Sequence, residues 1–190
     1  MKDVPLFPLN TVLFPGGRLP LRIFEQRYMN MAKACLRDNS LFGVCLIREG
    51  REVGAPAVPA EVGTLARIGA WDMPQLGMLH VTAHGEQRFR LLERRVQGDG
   101  LARGSIELIA PEDDAPVPET CAGCVKLLER VIEQQSGLFD QPHRLDSASW
   151  VSARLAEILP LPLPAKQELL ELSDARARIE RLNALLRPPG

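Results

Sequence analysis

The hydrophobic residues of this chain follow two different patterns. In the first 110 residues, short apolar blocks alternate with prolines and glycines, which is typical of edge strands and bulged strands. The spacing of these blocks predicts a small barrel or curled sheet, with a long loop at residues 49–63. The predicted strands lie within residues 4–23 and at 41–47, 64–70, 78–92 and 101–110.

One helix interrupts the predicted strands. Apolar residues recur every three or four positions from Phe24 through Tyr28 to Cys35, and a polar run at residues 38–40 follows them. This period predicts a helix that buries one apolar stripe, with Phe24 and Tyr28 in the core.

Beyond Pro111 the apolar spacing is helical throughout. Ser173 or Asp174 is expected to cap the last helix, because short polar side chains accept hydrogen bonds from free first-turn amides. Prolines and acidic residues at 111–118 predict a boundary between one domain at residues 1–112 and another at 113–190. The predicted helices lie at 125–132, 150–159, 165–172 and 174–186.

Charge and composition narrow the classes of function. The 190 residues carry a formal net charge of −1, with a slight basic excess before residue 111 and an acidic excess after it. So weak a charge disfavours a nucleic-acid groove or an anionic membrane surface. The longest apolar run, residues 158–165, is too short to span a bilayer, and no export signal is recognisable. We therefore expect a cytoplasmic protein.

Candidate chemistry is limited to one motif, Cys121-Ala122-Gly123-Cys124. Paired thiols at this spacing serve redox exchange or form half of a zinc site. His80 and His84 cannot supply the other half, because four residues along a strand separate them too far to chelate one ion. We expect both cysteines to be buried packing residues, with no catalytic site, metal or cofactor. Neighbouring carboxylates such as Glu112 are expected to be solvated.

One apolar surface feature remains. Residues 70–77 connect two predicted strands, and they contain Trp71, Met73 and Leu76 where a turn would normally be polar. An apolar loop tip can mark a contact site for another protein. The interpretation we favour is that Trp71 folds back over the mouth of the barrel, since isolated hydrophobic residues are usually packed locally.

The ordered motifs resemble the amino-terminal substrate-recognition domain of the Lon protease family, over nearly the whole chain. In the second half the resemblance rests on Leu159-Pro160-Leu161, residues 166–171 and Arg181-Leu182. In the first half it rests on Pro5-Leu6-Phe7-Pro8-Leu9, residues 12–16, Leu19-Pro20-Leu21, Ile23-Phe24-Glu25, Arg27-Tyr28, Phe42-Gly43-Val44, residues 62–68, Gly85 and Arg88-Phe89.

The resemblance implies an α+β fold, with a PUA-like β pseudo-barrel that contains one helix, followed by a C-terminal helical bundle. It also implies recognition of unfolded or tagged protein segments. The family's ATPase and Ser-Lys protease modules would follow Arg187, and we expect a chain that ends Pro188-Pro189-Gly190 to lack both.

Most of the matched residues are expected to be structural. Glu25 and Arg27 lie two positions apart on the predicted helix, so they should point in different directions and not pair. The remaining expectations are turns at Pro15-Gly16 and Gly63, close backbone approach or strand bends at Gly43 and Gly85, and a core position for Phe89.

The leading hypothesis is a non-catalytic module that binds exposed apolar protein segments, in the cleft between barrel and bundle or at the Trp71, Met73 and Leu76 loop. A protease or chaperone is the partner that the resemblance implies. One alternative is redox activity at Cys121 and Cys124. The other is RNA binding by the barrel through Arg88, Arg90, Arg94 and Arg95. Alternation places Arg88 and Arg90 on one strand face, but this is an ordinary solvated face, and the weak net charge also disfavours RNA binding.

Overall fold

The computed structural model describes residues 1–187 and divides into two compact units. The first unit covers Met1–Ala110, and the second begins at Pro111. Pro188, Pro189 and Gly190, on which the expectation of missing modules depends, lie outside the described residues. No helix within residues 1–187 is long and apolar enough to cross a membrane.

A six-stranded sheet forms the first unit. The strands pair in the order β2-β5-β4-β3-β1-β6, and β5 also pairs with β6. Five strands therefore close into a ring of pairings, and β2 is a terminal strand attached to β5. The strands are β1 (Val4–Leu9), β2 (Arg18–Ile23), β3 (Phe42–Glu49), β4 (Val58–Gln75), β5 (Met78–Val96) and β6 (Ala102–Leu108).

β4 and β5 are longer than the sequence indicates, so much of the predicted loop at 49–63 and of the predicted turn at 70–77 is strand. Register shifts between β3 and β4 keep the two strands paired where a regular ladder would fail. Gly63 lies inside β4, opposite Cys45 and Phe89, and the prediction of a turn there is wrong. A Cβ at Gly63 would lie 2.8 Å from the Phe89 ring, so close packing requires the glycine.

Helix α1 (Gln26–Asp38) buries its apolar stripe against the sheet. The ring of Tyr28 stacks on that of Phe7, with centroids 4.0 Å apart. Asn39 ends the helix in the left-handed conformation, with φ of 48°. Tyr28 and Phe89 are buried, which confirms their predicted core positions.

Phe24 and Glu25 precede α1, and two predictions about them are wrong. Glu25 is the N-cap residue and has an extended backbone, so Phe24 does not share the helical stripe and is 54% exposed. Helical spacing does not apply to Glu25 either. Its carboxylate forms an ion pair with Arg27 Nη2 at 3.0 Å, although the sequence predicts that the two do not pair.

Four α-helices follow a short 3-10 turn in the described part of the second unit. Helix α3 packs against the other three, and Leu128, Leu155 and Ile179 are buried. Asp174 caps the last helix by accepting a hydrogen bond from the Ala177 amide at 2.9 Å, which confirms one of the two predicted caps. The helices are α2 (Ala122–Gln134), α3 (Ala148–Ile158), α4 (Leu163–Glu171) and α5 (Ala175–Leu185). The α+β class expected from the resemblance is confirmed.

Glu112 is not solvated as the sequence predicts. Its side chain is 13% exposed, its Oε1 accepts from Arg178 Nη1 at 2.6 Å, and the Ser149 hydroxyl also donates to it. Arg178 lies 66 residues away on α5. Because this partner is so distant in sequence, local charge pattern does not reveal the pair.

Candidate functional site

Residues 70–82, the end of β4 and the start of β5, form the β4–β5 arm, which carries three apolar side chains, Trp71, Met73 and Leu76. Trp71 pairs with Val81 across the two strands, and the strands meet at a tight turn where Gly77 has φ of 86°. Trp71 and Met73 therefore lie on a strand rather than in a loop. Leu76 alone of the three occupies the turn.

The apolar side chains of the arm face solvent. Trp71 is 60% exposed, Met73 36% and Leu76 98%. The interpretation that Trp71 folds back to cover the barrel is wrong. Strand pairing keeps the backbone of β4 extended through Trp71, so the indole is not returned to the core.

A groove of about 620 Å³ runs beside the arm. Its lining is a block of three residues from each of three adjacent strands, because the register aligns β2, β5 and β4 there. Both polar and apolar residues line it. The lining residues are Pro20, Leu21 and Arg22 of β2, His80, Val81 and Thr82 of β5, and Ala70, Trp71 and Asp72 of β4.

A second cavity, of about 270 Å³, lies on β2 as well and has a mostly apolar lining. Phe7 and Tyr28 contribute to its wall, and the exposed side chains of Phe24 and Val53 lie at it. Sequence reasoning missed this cavity because it assigned Phe24 to the core. A valine among polar and glycine residues at 51–54 was the one available signal. Both cavities use residues 20–22 of β2.

The four arginines of the RNA-binding alternative do not form one free basic surface. Arg88 is 4% exposed, because β5 is flanked there by β4 and by the chain after β6, and the prediction of a solvated face for it is wrong. Arg94 donates to the Ala57 carbonyl oxygen, and Arg95 pairs with Asp3. Arg90 is exposed.

Cys121 and Cys124 are buried at the start of α2, which confirms the expected packing role. Burial raises the pKa of the Cys124 thiol to about 11, so it is protonated at neutral pH. His80 and His84 lie on β5, in the other unit of the chain. Within residues 1–187 no group of three or more His, Cys, Asp or Glu side chains could hold a metal ion.

The family comparison matches the sequence over residues 3–187 to the ATP-dependent protease La (LON) substrate-binding domain. The chain belongs to this family. The resemblance inferred from the motifs is therefore confirmed.

Relatives of this LON domain include Lon proteases and protein cereblon. The Lon protease of Anaeromyxobacter dehalogenans is 29% identical over 192 residues, which is 96% of this chain and 23% of the protease. Protein cereblon of Gallus gallus is 31% identical over 117 residues, which is 60% of this chain and 25% of cereblon. The chain thus spans about a quarter of the length of these relatives.

Solved structures share the fold of this LON domain. The Lon N-terminal domain protein from Xanthomonas campestris has 36% sequence identity and a TM-score of 0.82, covering 98% of this chain and all of that one. The N-terminal domain of the Mycobacterium avium complex Lon protease has 18% identity and a TM-score of 0.68, over 95% of this chain and 96% of that one. The latter likeness concerns the fold alone.

The glycines in the motifs of this LON domain serve close packing and a turn. A Cβ at Gly43 would lie 2.7 Å from the Phe89 ring, and one at Gly85 would lie 2.3 Å from the Phe14 carbonyl oxygen. Gly16 has φ of 73° in the turn that follows Pro15. The predictions for these three glycines are confirmed.

Proposed function

We propose that this LON domain is a non-catalytic module that binds exposed apolar segments of other proteins through the β4–β5 arm. The observation that carries the proposal is the exposure of Trp71, Met73 and Leu76 on one arm, next to a groove large enough for several side chains. Exposed apolar side chains that lie together mark interaction sites more often than scattered ones do. Unfolded segments, delivered to a protease or chaperone, are the partners that fit an apolar surface.

A peptide-binding experiment tests this proposal. We expect apolar peptides to bind the protein and to shift the emission of Trp71 to shorter wavelength, measured with Trp150→Phe so that Trp71 is the remaining tryptophan. Trp71→Ala and Met73→Ala should each weaken binding about tenfold, measured by titration calorimetry because Trp71→Ala removes the fluorophore. Leu92→Ala is the matched control, because Leu92 is 59% exposed on β5 outside the arm. Equal affinities of all variants would remove the arm from the proposal.

We also propose that the ring of strands is a PUA-like pseudo-barrel that lies within residues 1–112, and that α2 to α5 form a helical bundle within residues 113–190. The closed order of pairings supports the first assignment, since closure removes most free strand edges. The packing of α3 against α2, α4 and α5 supports the second.

RNA binding by the same unit has less support. Arg88 is buried and Arg94 donates to the Ala57 carbonyl oxygen, so the four arginines do not present one continuous basic face to an extended phosphate backbone. Gel-shift titration at low salt tests it, and retardation at micromolar protein would favour this alternative. Redox activity has less support still, because both thiols of the Cys121 and Cys124 pair are buried.

A further inference from the structure

A depression of about 300 Å³ lies where the N-terminal segment meets β6 and the end of β5. Basic side chains outnumber carboxylates in its lining, so the depression carries a net positive charge, which is much of the small positive excess of residues 1–110. A local excess of one charge attracts a ligand of the other. The cations are Lys2, Arg94, Arg95 and Arg103, and the carboxylates are Asp3 and Glu93.

Strand register brings two of these cations together. Arg95 of β5 lies directly opposite Arg103 of β6, and like charges in this relation destabilise an antiparallel pair. Asp3 offsets the repulsion. Its Oδ1 lies 2.9 Å from Arg103 Nε and also accepts from Arg95 Nη2. Two guanidinium groups thus converge on one negatively charged oxygen.

An anion that binds the two guanidinium groups more strongly can displace the Asp3 carboxylate. The Asp3 side chain is 49% exposed and that of Arg95 is 62% exposed, and ion pairs between such exposed groups are weak. Each guanidinium has five N–H donors, more than Asp3 engages. Among the described residues, neither the Lys2 ammonium nor the Ser105 hydroxyl at the depression has a hydrogen-bond partner.

We propose that this depression binds a phosphate group, which displaces the Asp3 carboxylate from Arg95 and Arg103. Guanidinium groups match phosphate because their planar N–H donors can bond two oxygens at once. The Lys2 ammonium and the Ser105 hydroxyl can donate to the remaining oxygens. The volume exceeds that of a phosphate ion, so a small phosphate ester fits as well as free phosphate. The site is separate from the β4–β5 arm and independent of the proposed protein binding.

Titration with inorganic phosphate and with glycerol phosphate, each at constant ionic strength, tests the proposal by amide and arginine side-chain NMR shifts. We expect saturable shifts at residues 2–3, 93–95 and 103–105. Asp3→Asn should bind phosphate roughly threefold or more tightly, because the competing carboxylate charge is gone. Arg95→Gln should weaken binding about tenfold, and its exposed position makes loss of the fold unexpected.

Arg37→Gln is the matched control, because it removes an arginine from an exposed ion pair with Asp38 outside the depression. It should leave phosphate affinity unchanged. Tighter binding of the ester identifies an esterified ligand, and equal binding identifies the phosphate group alone. The proposal is overturned if neither the wild type nor Asp3→Asn shows saturable shifts, or if Arg95→Gln and Arg37→Gln weaken binding equally.

Discussion

The guanidinium of Arg27 lies over the ring of Tyr28, with its Cζ 4.7 Å from the ring centroid. Arg27 is buried, pairs with Glu25 at 3.0 Å and donates to the Gly100 carbonyl oxygen at 3.2 Å. Tyr28 in turn stacks on Phe7 of β1. One buried cation therefore connects the start of α1 with β1 and with the turn before β6.

We expect Arg27→Met to lower the free energy of unfolding by about 2 kcal/mol, because it removes the contact of the cation with Tyr28 and leaves Glu25 unpaired. Urea denaturation followed by far-UV circular dichroism measures the change. Arg37→Met is the control, since the Arg37 side chain is 75% exposed and so exposed an ion pair contributes little to stability. Equal losses in the two variants would contradict the prediction.

The contacts of Arg27 also show where sequence reasoning reaches its limit. The period of apolar residues predicts α1 and its end near Asp38, because a helix must bury one stripe. The same pattern does not predict the residue at which the helix begins. The extended backbone of Glu25 excludes Phe24 from the helix, and no local pattern encodes that choice.

Only part of the candidate site could be predicted from the sequence. The local sequence identifies Trp71, Met73 and Leu76 as apolar residues where a polar turn is expected. Their exposure depends on the pairing of β4 with β5 through residue 75, a long-range arrangement. The cavity at Phe24 depends on where α1 begins, and the basic depression depends on the register of β5 with β6.

There is no space for a side chain at Gly85. Its amide donates to the Gly17 carbonyl oxygen at 2.9 Å, and its carbonyl oxygen accepts from the Gly16 amide at 2.8 Å, so the backbone is fixed on both sides. An added Cβ would lie 2.3 Å from the Phe14 carbonyl oxygen. We expect Gly85→Ala to cost about 3 kcal/mol of stability in thermal or urea unfolding.

Gly123→Ala is the matched control for Gly85→Ala. A Cβ at Gly123 meets nothing within 4 Å, and the residue lies in helix α2. Alanine has the higher helix propensity, so this variant should be stabilised by about 0.5 kcal/mol. A Gly85→Ala protein as stable as the wild type would show that the backbone can move away from Phe14.

Arg178 and Glu112 form a buried ion pair in the second unit, with side-chain exposures of 4% and 13%. Arg178 also donates to the carbonyl oxygens of Leu169, in the last turn of α4, and of Leu172, the C-cap residue of that helix. We expect Glu112→Gln to destabilise by about 2 kcal/mol and Arg178→Met by about 4 kcal/mol, because the arginine variant also leaves those carbonyl groups unpaired.

A double-mutant cycle measured by urea denaturation separates the pair from its other contacts. The coupling between Glu112→Gln and Arg178→Met should exceed 1 kcal/mol in rough terms. The exposed pair of Glu168 and Arg181 provides the comparison, and its coupling should be clearly smaller. Similar coupling in both pairs would indicate that burial adds nothing to the Arg178 pair.

Glu157 on α3 makes the stability of the second unit depend on pH. Burial raises the pKa of its carboxyl from the usual 4.5 to about 7, although Arg154, at 2.9 Å, and Lys166 oppose the shift. A raised folded-state pKa favours the protonated form. Its contribution to stability is therefore fully present below about pH 4.5 and is lost as the pH rises through about 7.

We expect Glu157→Gln to remove this dependence, so that the stability of the variant relative to wild type rises by roughly 3 kcal/mol between pH 4.5 and pH 8. Urea denaturation at several pH values measures the difference. Glu168→Gln should show no such trend above pH 4.5 and the opposite sign below it, because hydrogen bonds from Arg181 lower the pKa of Glu168 from its usual 4.5 and its contribution is lost only as the pH falls further. A Glu157→Gln curve parallel to that of the wild type would mean that the carboxyl is ionised in the folded protein throughout this range.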